Sequence, residues 1–303
     1  MPSERGRAAR ALLRAANGLG SRGAEGLWAS VSGVAGALSR HAHTRQWASS
    51  GRERVVVIAP HPDDEAVGCA GTLIRHHNSG DLVRIAVMTD GSRSRAFGFD
   101  AASMRGLREA EAIRAAARMG ASCDWVGLRE GDWSDDSARA AVLRVLRETR
   151  PTVIYAPSFI DYHPEHRRVA KTLAAILEEV HAALEVRMYA VQVPLTPLLT
   201  NLVHDVSDLE ASIGSVFACY PSQRESLMPT LRLRRYAARF YGASTQVEGF
   251  FAIPAPAYVS LHGRPPARFR SLAGRAWTDP LAMLVGGAER ITWNRFARVE
   301  LLS

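Results

Sequence analysis

Val55-Val56-Val57-Ile58-Ala59-Pro60-His61-Pro62-Asp63-Asp64-Glu65 is the stretch from which the rest of this chain can be read. Residues 55–59 are continuously apolar and mostly β-branched, the pattern of a short strand buried on both faces of a parallel sheet. The run stops at Pro60, and an imidazole and three carboxylates follow at once, where a helical period begins. Working outward, similar short runs occur at 83–88, 124–128, 152–156 and 186–191, alternating with helix-period stretches at 66–77, 104–120, 135–149 and 164–184. Gly120 and Pro151 stand where helices should stop. This alternation predicts an α/β fold, a Rossmann-like and mostly parallel sheet with helices on both faces. Ligands of such sheets bind beyond the carboxyl ends of the strands, which places the expected site just after Ala59, Met88, Leu128 and Ala156.

The composition suits a soluble globular protein: 303 residues, 47% hydrophobic and 22% charged. No run approaches the roughly 18 apolar residues of a spanning helix. Cys69, Cys123 and Cys219 are far apart and form no CxxC pair, so neither a disulfide framework nor a thiolate zinc site is expected, and the cytoplasm is the expected location. Charge is uneven. Residues 1–52 carry eight arginines against Glu4 and Glu25, and residues 261–303 carry seven against Asp279, Glu289 and Glu300, while the body between them is near neutral. The organisation read from this is a basic, amphipathic helical extension at 1–52, a metal-dependent catalytic core at 53–193 and a C-terminal elaboration of the same domain at 194–303.

Leu27, Val31, Val34 and Leu38 recur at helical spacing, suiting either a helix packed on the domain or peripheral membrane contact. Gly18 to Gly23 matches GxGxxG but follows no strand. Lys171, the sole lysine, has no glycine before it, which excludes a Walker A loop. The helix candidate at 230–241 carries Arg232, Arg234, Arg235 and Arg239 and reads as a solvated face, so no nucleic-acid partner is expected. Nothing in the sequence sets the oligomeric state.

The chemistry concentrates in two clusters. His61 and Asp64 are three apart at a loop-to-helix junction, a spacing that lets both reach one ion and leaves Asp63 beside them. The fourth strand is followed by Asp161-Tyr162-His163-Pro164-Glu165-His166, a second imidazole pair at i, i+3. Two imidazoles and a carboxylate suit Zn²⁺ with a position open for water, and an unligated carboxylate can serve as general base. The plainer alternative is helix entry for His61 and helix capping for the two aspartates.

HPDDE after the first strand and HPEH after the fourth resemble the PIG-L/LmbE-like de-N-acetylases, zinc-dependent enzymes acting on N-acetylglucosamine-type substrates; the resemblance covers roughly residues 54–193. It implies His61, Asp64 and His166 as metal ligands, Asp63 as general base, and His163 as transition-state stabiliser or acid. Arg108, opening an RxxE run to Glu111, is similar to the family's substrate-site arginine, and Asp132 to its sugar-gripping acid; a surface ion pair and a helix cap are their alternatives. Cys69-Ala70-Gly71 stands where the family often has Gly-Gly, and Glu165 where it has Asp. The expected function is thus zinc-dependent removal of an N-acetyl group from an amino sugar, either free or lipid- or glycan-linked, with Fe²⁺ as an alternative metal. The rivals are an amidase acting on a thiol-sugar conjugate and a catalytically silent, metal-containing module that binds carbohydrate or docks to membranes.

Overall fold

The computed structural model describes residues 44–263, apart from 160, 162, 192–194, 196–199, 225–226, 228–233, 236 and 239–240, together with Ser30. The amphipathic helix read from Leu27 to Leu38, the Gly18 to Gly23 segment and the basic flank beyond 263 lie outside these residues. The strands are β1 (Arg45–Gln46), β2 (Arg54–Ala59), β3 (Leu82–Thr89), β4 (Ser122–Leu128), β5 (Val153–Pro157), β6 (Glu185–Tyr189), β7 (Leu202–Asp205) and β8 (Val247–Pro254). They form one sheet in the order β1-β7-β8-β6-β5-β2-β3-β4, parallel throughout except where β8 meets β6 and β7. The helices are α1 (Asp64–Asn78), α2 (Ala101–Arg118), α3 (Asp135–Thr149), α4 (Pro164–Glu179), α5 (Glu210–Phe217) and α6 (Ala255–Gly263). The α/β reading of the sequence is borne out.

The unbroken apolarity of β2 has a direct cause. Val55, Val57 and Ala59 pack into a core with α1, α2 and α5, while Val56 and Ile58 pack into a second core with α3, α4 and α6. All five are 0% exposed, so neither face of the strand tolerates a polar residue. Local signals set the helix starts: the Asp100 side chain accepts the Ser103 N–H at 2.8 Å before α2, and Ser134 accepts the Ser137 N–H at 3.1 Å before α3. Arg150, left-handed at φ 48°, and then Pro151 end α3.

Two outcomes differ from the sequence reading. The helix expected to reach 184 stops at Glu179, because His181 turns left-handed at φ 46° and the N–H groups of His181 and Ala182 fold back to Glu178 O at 3.2 Å and Leu177 O at 3.1 Å. After 193, where the βα rhythm fades, β7 and β8 nevertheless extend the sheet. β8 runs antiparallel to both of its neighbours, β6 and β7, so this part of the sheet departs from the parallel βα pattern of the other strands. No helix among the described residues is long and apolar enough to cross a membrane.

β2 and β5 are neighbours, but the chain leaves β2 for β3 on one side and reaches β5 on the other only later. This is the topological switch point, where the connections diverge and open a crevice at the carboxyl ends. Both histidine clusters leave from it.

Candidate active site

The first half of the site is the turn that leaves β2. Pro60 O accepts both the N–H and the hydroxyl of Thr89, at 2.9 and 2.8 Å, which pins the turn to β3. The His61 N–H donates to Asp64 Oδ2 at 2.8 Å, folding that carboxylate back toward the imidazole. The second half leaves β5. Asp161 Oδ1 accepts the His163 N–H at 2.9 Å, and His163 Nδ1 accepts the Glu165 N–H at 3.3 Å, capping α4 with Pro164 in its first turn.

Three atoms then converge: His61 Nδ1, Asp64 Oδ2 and His166 Nε2, at 3.3 Å (His61 to Asp64), 3.2 Å (Asp64 to His166) and 3.0 Å (His61 to His166). The far nitrogen of each imidazole faces another carboxylate, Glu165 Oε2 at 2.7 Å for His61 and Asp161 Oδ1 at 3.2 Å for His166. In neutral imidazoles the hydrogen bond to Glu165 draws the His61 proton outward, and the Asp161 charge beside His166 Nδ1 favours the same tautomer there, leaving lone pairs on the converging nitrogens. Two lone pairs and a carboxylate oxygen at such separations repel unless positive charge lies among them. This N₂O donor set, with carboxylates orienting both imidazoles, fits a divalent ion of the zinc or iron type.

The protonation tendencies agree. Burial opposes charge on His61, but hydrogen bonds with Asp64 and Glu165 raise it to about 9. His166 is likewise held well above the ordinary range against its burial by Asp64 and Asp161, and Asp64 well below it, against its own burial, by the two imidazoles. The cluster attracts positive charge, whether protons or a metal ion.

Asp63 stands beside the three atoms without joining them. Its backbone has φ 124° and ψ −21°, a strained conformation for a residue with a side chain, and its carboxylate makes no capping bond to α1. Instead Oδ1 lies 3.2 Å from Arg108 Nη2, while Glu65 Oε2 accepts the Asp63 N–H at 3.2 Å. Burial raises the Asp63 carboxyl to about 6, although Arg108 pulls it down. Arg108 itself is 3% exposed. It also donates to Pro62 O and to Ser222 Oγ and pairs with Glu111 at 3.6 Å. Ser222 in turn donates its N–H and hydroxyl to Glu111, at 3.0 and 2.6 Å.

A cavity of about 550 Å³ opens against His163 and Glu165, with Arg93, Glu130, Gly131 and Arg168 also in its wall. The His163 ring lies 4.5 Å from that of His61 and 4.8 Å from that of His166. Burial and these two imidazoles push His163 down to about 4. A neutral ring whose Nδ1 accepts a hydrogen bond carries its proton on Nε2.

The structure therefore brings His61, Asp63, Asp64, His163 and His166 together. It places Arg108 against Asp63, and it leaves Asp132 outside, its side chain 79% exposed and 3.8 Å from Arg129. The acid of that loop in the cavity wall is Glu130, 3.9 Å from His61 Nε2. The sequence reading assigned no role to Glu130, although its position just after β4 was a usable signal. Trp133 was also missed; its Nε1 donates to Glu165 Oε1 at 2.9 Å, as does the Gly131 N–H at 2.7 Å.

The fold and site define the class: a Rossmann-like α/β protein with a candidate His₂-carboxylate metal centre at the switch point of its sheet. Residues 56–177, which contain both histidine clusters, match the family model PIG-L, GlcNAc-PI de-N-acetylase, bearing out the resemblance seen in the motifs. Diacetylchitobiose deacetylase of Thermococcus kodakarensis is 31% identical over 121 residues, 38% of this chain and 45% of the relative. A 1D-myo-inositol 2-acetamido-2-deoxy-alpha-D-glucopyranoside deacetylase of Rhodococcus erythropolis is 26% identical over 194 residues, 54% of this chain and 65% of the relative. The chain spans about half the length of the curated relatives it matches.

Among solved structures, N,N'-diacetylchitobiose deacetylase from Pyrococcus horikoshii shares the fold with TM-score 0.57 at 23% identity, over 67% of this chain and 85% of that one. GalB, the 4-carboxy-2-hydroxymuconate hydratase of Pseudomonas putida KT2440, shares it with TM-score 0.59 at 18% identity, over 66% and 95%. One fold thus carries two chemistries, and the function has to be argued from the site.

Proposed function

We propose that this protein is a metal-dependent hydrolase that removes the acetyl group from an N-acetylglucosamine-type substrate, with zinc as its metal. The observation that carries the reading is Asp63, a buried carboxylate kept out of the His61, Asp64 and His166 cluster by its backbone and held by Arg108. A module that only binds sugar or metal has no use for such a group, whereas hydrolysis needs a base beside the ion. The deacetylases among the relatives support the same choice.

His61, Asp64 and His166 would hold the ion, which supplies positive charge to polarise the amide carbonyl and acidify water. Asp63 accepts the proton of the attacking water as the acetyl carbon becomes tetrahedral. His163, neutral and protonated on Nε2, donates a hydrogen bond to the developing oxyanion. The C–N bond then breaks, and the proton stored on Asp63 passes to the departing amine, leaving acetate and the free amino sugar. Glu165 and Asp161 keep the imidazoles oriented throughout.

The test is primary-amine release from a panel of soluble and lipid-linked N-acetylglucosamine compounds, measured after chelation and again after zinc or iron is restored. Metal-dependent release is expected. A stoichiometrically loaded protein that releases no amine would point to the silent binding module, and release from other acyl groups alone would point to an amidase.

A further inference from the structure

The cavity wall holds two arginines in different states. Arg168 is engaged: its guanidinium lies 3.7 Å over the Trp133 ring and pairs with Asp135 at 2.7 Å. Arg93 is held but unspent. Its backbone N–H donates to Glu130 Oε2 at 2.9 Å, fixing the point from which the side chain leaves. The side chain then crosses Gly131, where a Cβ would lie 2.4 Å from Arg93 Nη1 and 3.3 Å from Cδ and Cζ, so a larger residue there would displace the guanidinium. Gly131 has φ +78°, and its own N–H is committed to Glu165 Oε1 at 2.7 Å, so the surface beneath Arg93 is tied to the site. Among the described residues the Arg93 guanidinium has no carboxylate partner. Glu130, the nearest acid in the wall, directs Oε2 to that backbone N–H and Oε1 toward His61 Nε2 at 3.9 Å.

Arg93 is exposed, and in the cavity wall its guanidinium stands over Gly131 with no counter-charge among the described residues. We propose that Arg93 is a specificity-determining residue that receives an anionic substituent, phosphate or carboxylate, on the amino sugar being deacetylated. The inference rests on the deacetylase reading and names its substrate class. A planar guanidinium offers two parallel N–H donors to either anion. A volume of about 550 Å³ holds a sugar ring with such a substituent.

The experiment uses the full chain with its metal restored and compares kcat/KM for N-acetylglucosamine, its 1-phosphate and 6-phosphate, N-acetylmuramic acid, and the amino sugar phosphodiester-linked to lipid in vesicles. At least one soluble anionic sugar should exceed the neutral sugar by about tenfold or more, an advantage that shrinks as salt rises. Preference for the vesicle arm alone would assign the anion to a lipid headgroup; preference for a soluble arm assigns it to a free sugar phosphate or acid. Arg93→Ala should bring the anionic-to-neutral ratio close to one, Arg93→Lys should keep part of it, and Gly131→Ala, which displaces the guanidinium, should lower it. Equal efficiency for neutral and anionic sugars, or a ratio that survives Arg93→Ala, would overturn the proposal while leaving the deacetylase reading intact. If no sugar releases amine, the deacetylase reading fails by itself. Equilibrium binding of N-acetylglucosamine 1-phosphate to wild-type and Arg93→Ala protein then decides the Arg93 assignment, and equal affinities overturn it.

Discussion

Asp63 and Asp64 are identical neighbours that the backbone sends in different directions. Asp64 enters the helix and turns to the imidazoles, whereas Asp63, at φ 124°, turns to Arg108. The division of labour between the two carboxylates lies in that one dihedral. It also sets a pH dependence. A base works only when deprotonated, and Asp63 is raised to about 6 by burial and restrained by Arg108. With a cation bound nearby, kcat/KM should therefore fall as pH drops through a midpoint at or below about 6. Arg108→Met removes the restraint, so this acid limb should move to higher pH and the rate at pH 6.5 should fall more than the rate at pH 8. A pH profile unchanged in Arg108→Met would contradict the positioning role. The sequence displays the adjacent carboxylates, the histidine pair and the i, i+3 spacing of Arg108 and Glu111. It cannot display a positive φ at an aspartate, or that Pro62 O and Ser222 complete the arginine's surroundings.

At the scale of elements, α1 presents the site and is broken in its middle. Cys69 has φ −152° and ψ 23°, which interrupts the backbone hydrogen-bond ladder. The groups around the break find buried partners: Arg234 Nη2 donates to Ala66 O at 3.1 Å and Val67 O at 2.7 Å, and the Glu248 carboxylate accepts the N–H of Gly71 at 3.0 Å and of Thr72 at 2.8 Å. The two side chains pair at 2.8 Å. Arg234→Met should therefore cost about 3–5 kcal/mol, because it leaves the Glu248 charge buried and uncompensated; denaturant unfolding measures this, and a loss under 1 kcal/mol would count against it. Gly68→Ala should cost about 1–3 kcal/mol in the same assay, since a Cβ there would lie 2.2 Å from the Tyr189 ring. None of this was legible beforehand. The arginine run at 230–241 reads as a solvated face, yet Arg234 is 6% exposed, and its partner comes from β8, a strand outside the βα rhythm.

For the whole molecule, the sheet from β2 to β6 was readable because parallel strands alternate with crossover helices and are apolar on both faces. β1, a two-residue strand, and β7 and β8 carry no such rhythm. Folding also hides titratable groups behind the sheet. His204 stacks on Trp47 at 4.2 Å, and its Nδ1 lies 2.9 Å from the Thr72 hydroxyl; burial pushes it down to about 4. A histidine kept neutral in the fold but titrating near 6.5 when unfolded contributes stability that is complete above pH 6.5 and lost as pH falls toward 4. Between pH 7 and 4.5 this residue alone should remove on the order of 2–3 kcal/mol of unfolding free energy. That part of the slope should vanish in His204→Gln, and an unchanged slope would assign the acid sensitivity elsewhere.

Whether three residues hold a metal while a fourth works unligated beside it is decided by metal content and turnover measured together in Asp63→Asn and Asp64→Asn. Asp63→Asn should retain a full equivalent of metal while turnover on the best N-acetyl sugar falls by about two to four orders of magnitude, and Asp64→Asn should lose the metal. Loss of the metal in Asp63→Asn with retention in Asp64→Asn, or wild-type turnover in Asp63→Asn, would contradict this arrangement.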